Sequence, residues 1–292
     1  MTDSNWVDRS AYPFQSCYLQ VDGGQMHYLD QGSGQPVVMV HGTPTWSFLY
    51  RSLIQDLSAD YRAVAPDHIG FGLSDKPSNW SYRPQDHARN LATLVEHLGL
   101  KNIVLAVHDF GGPVSLSYAL EHPENIRALV IFNTFLWSLK GDPAFERPAR
   151  MFNNAIGRWL YLRQNFSANV MVRSAWGKHR PLTPAVHQQY QKPFQTAESR
   201  KGTWQFFNSL LGESEWFESL WAKRERIADK PALILWGIKD IAFKEKELDR
   251  WKSLFPQARV VAFPQAGHFV PDEAGPEAAA EVRGFLDEIM RS

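Results

Sequence analysis

Cysteine is almost missing from this chain. Cys17 is the single one among 292 residues, which excludes an internal disulfide framework and any multi-cysteine metal site. Net charge is missing too: 31 Lys+Arg stand against 31 Asp+Glu, so no basic excess exists for holding nucleic acid or an anionic membrane. No apolar run approaches the roughly 18–20 residues that cross a bilayer. The first residues, Met1-Thr2-Asp3-Ser4-Asn5-Trp6, have neither the basic start nor the apolar segment of a secretory signal. The expectation is a soluble cytoplasmic protein, with the Asn-X-Ser matches at Asn79 and Asn165 occurring by chance. Internal repeats and low-complexity tracts are absent. The histidines are scattered without the helical spacing of metal ligands, and neither a phosphate loop nor a dinucleotide fingerprint occurs, so no cofactor and no metal is expected.

What is present is an ordinary globular composition, 44% hydrophobic and 21% charged, which excludes a disordered chain. Two β-rich stretches, 17–21 and 25–30, flank Asp22-Gly23-Gly24 and read as a hairpin. Short apolar runs follow at 37–40, 63–65, 103–107, 129–132, 232–236 and 260–263. Their lack of alternation suits strands covered on both faces, as in a parallel sheet. Helical patterns at 47–57, 84–98, 113–121, 244–255 and 276–290 lie between or after them, giving an α/β fold with a mostly parallel eight-stranded sheet flanked by helices. Between 134 and 229 no buried strand is legible, yet six of the eleven tryptophans (Trp137, Trp159, Trp176, Trp204, Trp216 and Trp221) fall there. A structureless loop of that length is improbable. The segment 134–229 is read as a helical cap inserted into a core made of 1–133 and 230–292, with an apolar pocket expected between them.

The stretch Ile103–Pro113 runs from an apolar strand through a sharp turn, His108-Asp109-Phe110-Gly111-Gly112, into a helix. This is the layout of a nucleophile elbow with aspartate in the place usually held by serine. Amides at a helix N-terminus favour an anion at that position. In the same layout the oxyanion amides come from the residue after the nucleophile and from the loop after an earlier strand; here these are Phe110 and, in His41-Gly42-Thr43-Pro44, Thr43. Trp236-Gly237-Ile238-Lys239-Asp240 places a carboxylate after the next-to-last strand, and Ala266-Gly267-His268-Phe269 places a histidine after the last. The chain order Asp109, Asp240, His268 is that of nucleophile, acid and base in this fold. Asp67–Ser74 is a further glycine-rich strand exit, read as structural.

A carboxylate nucleophile narrows the chemistry. Attack on an ester carbonyl would yield an anhydride, whereas displacement at saturated carbon yields an ordinary alkyl ester of Asp109. His268 would then activate water to hydrolyse that ester, with charge building against the Thr43 and Phe110 amides and Asp240 fixing the imidazole tautomer. The expected partner is a small apolar substrate: a haloalkane, an epoxide or another strained ring.

His41–Phe48, Asp67–Pro77, His108–Pro113 and Trp236–Asp240 together resemble the haloalkane dehalogenases of the α/β-hydrolase superfamily, from about Tyr18 to Phe285. Asn133-Thr134 and His179-Arg180-Pro181 are most similar to the third dehalogenase subfamily. The resemblance implies the α/β-hydrolase fold with an inserted helical cap, and the roles of nucleophile for Asp109, base for His268 and acid for Asp240. It also implies that residues 43 and 110 receive the departing halide. The family usually has asparagine and tryptophan there, where this chain has Thr43 and Phe110. Threonine keeps one O–H donor; phenylalanine offers only a weakly positive ring edge. A cap tryptophan, Trp137, Trp176 or Trp204, is the expected replacement for the missing indole. Epoxide hydrolysis is an alternative, with Tyr161 or Tyr190 as proton donor. A second is a β-lactone decarboxylase of olefin synthesis, similar at the elbow and at Trp236–Asp240. A non-enzymatic receptor would be marked by a broken triad, and all three members are present.

Overall fold

The computed structural model describes residues 5–291; the first four residues of the N-terminal reading lie outside them. One sheet is built from β1 (Cys17–Val21), β2 (Gly24–Gln31), β3 (Pro36–Val40), β4 (Arg62–Pro66), β5 (Ile103–Asp109), β6 (Ile126–Thr134), β7 (Ala232–Gly237) and β8 (Arg259–Phe263). The spatial order is β1-β2-β4-β3-β5-β6-β7-β8. β1–β2 and β2–β4 pair antiparallel; every other neighbouring pair is parallel. The hairpin reverses through Gly23 and Gly24, whose φ values of +94° and +130° suit glycine.

Strand alternation explains why these runs are apolar throughout. Val38, Val40, Leu105, Val107, Leu129, Ile131 and Ile234 enter the core on one face of the sheet. Their neighbours Val37, Met39, Val104, Ala106, Val130, Phe132 and Leu233 enter the core on the other. Helices cover both: α1 (Arg51–Leu57), α2 (Pro84–His97) and α3 (Gly111–Glu121) before β6, and α10 (Glu245–Leu254), α11 (Val270–Glu273) and α12 (Gly275–Arg291) after β7. The insertion between β6 and β7 holds α4 (Pro143–Phe152), α5 (Ala155–Gln164), α6 (Val172–Ala175), α7 (Pro184–Gln191), α8 (Lys201–Gly212) and α9 (Ser214–Ala222).

Three elements differ from the sequence reading. The helix expected over 47–57 opens as a 3-10 turn, Ser47–Tyr50, before α1. Residues 46 to 50 are all buried, which no single α-helical face allows. β5 continues two residues past its expected end to Asp109, and β6 continues to Thr134, paired Asp109 to Thr134.

Strand order sets the site. After β3 the chain adds β4 on one side, then returns to place β5 on the other, so a crevice opens at the carboxyl ends of β3 and β5, the usual ligand position in such sheets. The crevice is narrow: a Cβ on Gly111 would lie 2.0 Å from the Val40 carbonyl oxygen. Gly111→Ala is therefore expected to destabilise the fold by about 3 kcal/mol or more, through overpacking against main chain that cannot yield. Chemical denaturation of the variant checks this.

Candidate active site

Asp109 ends β5 in the left-handed region, φ +50°, a conformation that costs a non-glycine residue about 1–3 kcal/mol. The surroundings hold it there. Thr134 Oγ1 donates to the Asp109 carbonyl, α3 begins two residues on, and the Thr43 N–H donates to Asp109 Oδ2 at 2.7 Å. A Cβ on Gly42 would fall 2.3 Å from that same oxygen. His41 shapes the loop: its Nε2 accepts from the His68 N–H at 3.0 Å, so Nδ1 donates to the Gly42 carbonyl at 2.7 Å. Burial pulls His41 down to about 4, which keeps it neutral for this purpose. Burial also pushes the Asp109 carboxyl above its ordinary value, while His268 and the Thr43 and Phe110 amides pull it back.

His268 follows β8. Its Nδ1 shares a proton with Asp240 Oδ2 at 2.8 Å, which leaves Nε2 for the cavity. Asp240 is itself held by the Asn133 side-chain amide at 2.9 Å and the Ala242 N–H at 2.7 Å. Asn133 also bonds the Gly237 N–H and carbonyl, joining the ends of β6 and β7. Burial acts to lower the imidazole pKa, but Asp240, Asp109 and Glu273 outweigh it and raise His268 to about 9. His108 Nε2 donates to the His268 carbonyl at 2.8 Å.

Asp109 and His268 open into one cavity of about 220 Å³, lined otherwise by Thr43, Phe110 and apolar side chains from the insertion, among them Phe145, Phe152, Phe166 and Phe207. Unused hydroxyls lie there: Thr43 Oγ1 is buried without a hydrogen-bond partner, and the Tyr161 and Ser167 hydroxyls, on the cavity's insertion side, make no hydrogen bond among the described residues. The phenol is pushed well up by burial, so it remains a donor. A buried carboxylate, a neighbouring imidazole held by a second carboxylate, and a largely apolar wall are suited to attack on an apolar substrate followed by hydrolysis.

The three tryptophans expected to supply an indole do not line this cavity. Trp137 packs between Trp221 and Trp251, with Arg250 over its face. The Trp176 indole donates to the Arg180 carbonyl at 2.7 Å. Trp204 stacks on Phe207 and lines a solvent-open groove with Arg158 and Trp159. Tyr190 is also displaced from its expected place: its hydroxyl is bonded to Asp272. The Asp67 carboxylate accepts from Ser47, Leu73 and His27 and is a buried strut, as its motif suggested. His108 and Asn133 lie in stretches already singled out, the elbow and the Asn133-Thr134 pair, though their supporting bonds were not legible there; Glu273 carries no local motif that announces it.

The family model described as alpha/beta hydrolase fold matches residues 35–274. Haloalkane dehalogenase 2 of Mycobacterium tuberculosis is 35% identical over 279 residues, 94% of this chain and 96% of that one. The cis-3-alkyl-4-alkyloxetan-2-one decarboxylase of Shewanella oneidensis is 33% identical over 285 residues, 94% and 89% of the two chains. Among solved structures, haloalkane dehalogenase DatA from Agrobacterium tumefaciens C58 superposes with a TM-score of 0.83 at 26% identity, covering 94% of this chain and 97% of that one. The chain belongs to the α/β-hydrolase fold family and, within it, to the haloalkane dehalogenase-like hydrolases. It is an enzyme. No helix among the described residues is long and apolar enough to cross a membrane.

The electrostatics predict a titration. His268 should hold its proton to about pH 9 in the resting chain, and Asp240→Asn should lower that value by more than about one unit; ¹⁵N NMR of the imidazole measures both. Because the folded pKa lies above the ordinary 6.5, the stability this group confers is full below about 6.5 and is lost as the pH rises through about 9.

Proposed function

We propose that the enzyme displaces a leaving group at saturated carbon through a covalent ester of Asp109, hydrolysed by water that His268 activates and Asp240 orients, with 134–229 acting as the cap over the substrate. The observation that carries this reading is the Thr43 N–H bound to Asp109 Oδ2 at 2.7 Å inside a cavity shared with His268. That bond divides the carboxylate. Oδ2 stays with the amide, and Oδ1 attacks the substrate carbon while the carbon–halogen bond breaks and halide departs. The ester keeps Oδ2 as its carbonyl oxygen, already at the Thr43 and Phe110 amides. Water then adds to the Asp109 carboxyl carbon, and negative charge develops on Oδ2 where those donors await it. Collapse releases the alcohol and restores the carboxylate.

Protonation follows the same logic. Asp109 is one of the charges that raise His268. Ester formation removes that charge, so the imidazole sheds its proton to solvent alongside the halide and becomes the base that the second step needs. The hydrolytic step therefore fails at low pH, and its acid limb should lie below the resting value of about 9.

For the leaving group, the Phe110 ring stacks on Phe206 with centroids 4.4 Å apart and offers no N–H. The free hydroxyls of Thr43, Tyr161 and Ser167 are the donors left to receive it. The same feature favours a second reading, opening of a β-lactone, since hydroxyls solvate a released carboxylate well. In that case Asp109 Oδ1 attacks the saturated ring carbon and the ring C–O bond breaks to free a carboxylate. Loss of CO₂ then forms the alkene and expels Asp109, with no water consumed.

The two readings separate in one variant. Asp109→Ala should abolish turnover of either substrate. His268→Phe should accumulate an alkyl-enzyme from a bromoalkane, visible as added mass on Asp109, while leaving alkene release from a β-lactone largely intact. Absence of the adduct in a variant whose parent releases bromide sinks the ester scheme. Thr43→Asn with Phe110→Trp should raise halide release by about tenfold or more if donors limit that step; Tyr161→Phe should lower it.

A further inference from the structure

Glu273, on α11, is fully buried, yet its carboxylate touches no cationic side chain at ion-pair distance among the described residues. It receives main chain instead. The Gly267 N–H lies 3.0 Å from both oxygens, the Phe269 N–H 3.2 Å from Oε1 and the Gly177 N–H 2.8 Å from Oε2. Gly267 and Phe269 stand on either side of His268, whereas Gly177 belongs to the insertion, just past α6. Two further main-chain bonds join the same segments: His268 N–H to the Ala175 carbonyl at 2.8 Å, and Lys178 N–H to the Gln265 carbonyl at 2.6 Å. Ala175 itself lines the cavity. The fit is tight, since a Cβ on Gly177 would lie 2.3 Å from the Gly267 nitrogen.

We propose that Glu273 is a positioning residue that fixes the backbone on both sides of His268, fastens the insertion to it, and brings a buried negative charge against the segment that carries the imidazole. The catalytic part of this inference rests on the reading of His268 as the base. An ionised carboxylate is the side chain that brings two acceptor oxygens and no donor to three converging N–H groups. Burial pushes Glu273 up to about 7, against the amides and His268, which pull it down; in turn Glu273 is among the groups that raise His268. The other charged groups around it are engaged elsewhere. Asp272, its neighbour on α11, pairs with Arg51 and accepts from Tyr190. On the insertion, His179 and Arg180 face Glu277 of α12. On β5, buried His108 is held neutral by desolvation and by the His268 charge. His268 itself pairs with Asp240.

The test compares Glu273→Gln with the parent. Glutamine keeps one acceptor and turns an NH₂ toward the amides, so exchange of the Gly177 or Phe269 amide should quicken by about tenfold or more. His268 should titrate lower by ¹⁵N NMR, and the acid limb of alkyl-enzyme hydrolysis should move to lower pH by about one unit. A variant that merely loses thermal stability, with the His268 titration and the pH profile unmoved, overturns the proposal. Should the variant fail to fold, the parent decides: the His268 resonance should show a second inflection near pH 7 from Glu273, and a single inflection is contrary. If the parent forms no alkyl-enzyme at all, the proposed function fails, while amide exchange and imidazole titration still judge the clamp.

Discussion

A single hydrogen bond, from the Thr43 main-chain N–H to the Asp109 side-chain Oδ2, organises the candidate site. It requires the loops after β3 and β5 to touch, which the strand order β4-β3-β5 allows. Contact at that range excludes a side chain at Gly42 and at Gly111. It also helps to hold Asp109 in a conformation that an isolated residue avoids, and it decides which carboxylate oxygen is available for attack in the proposed scheme.

The second constraint is electrostatic. Asp109, Asp240, His268 and Glu273 are all buried, and buried charges persist only when each has partners. Here the partners are unlike in kind: amides for Asp109 and Glu273, a carboxylate for His268, and a carboxamide with an amide for Asp240. The arrangement keeps three acids and one base close, with His268 and two amides opposing the upward pull of burial on the acid proposed as nucleophile.

The sheet and the strand-end residues were legible in the sequence for a physical reason. Apolar runs without alternation report strands covered on both faces, and Asp109, Asp240 and His268 each follow such a run. The direction of a side chain within the insertion was not legible. Six tryptophans announced buried aromatic surface there, but whether an indole faces the cavity depends on helix packing angles that no local pattern encodes. So Trp137 went to an aromatic cluster with Arg250 and Trp204 to the outer groove. Glu273 escaped notice because its partners are the main-chain N–H groups of Gly267, Phe269 and Gly177, and main chain carries no residue signature; Asn133 was singled out, but not its bond to Asp240. Thr43 and Phe110 line the cavity, but none of the three tryptophans expected to bring an indole there does.

The size of the chamber has its own consequence. About 220 Å³ equals the liquid share of roughly seven water molecules at ~30 Å³ each. A compact molecule of that bulk fits wholly inside, displacing solvent from phenyl walls with full hydrophobic gain. Under the proposed scheme a longer alkyl tail would run along the insertion's phenyl side chains, so each added methylene, worth about 0.8 kcal/mol when buried, would be weighed by the insertion and scarcely by the reacting centre.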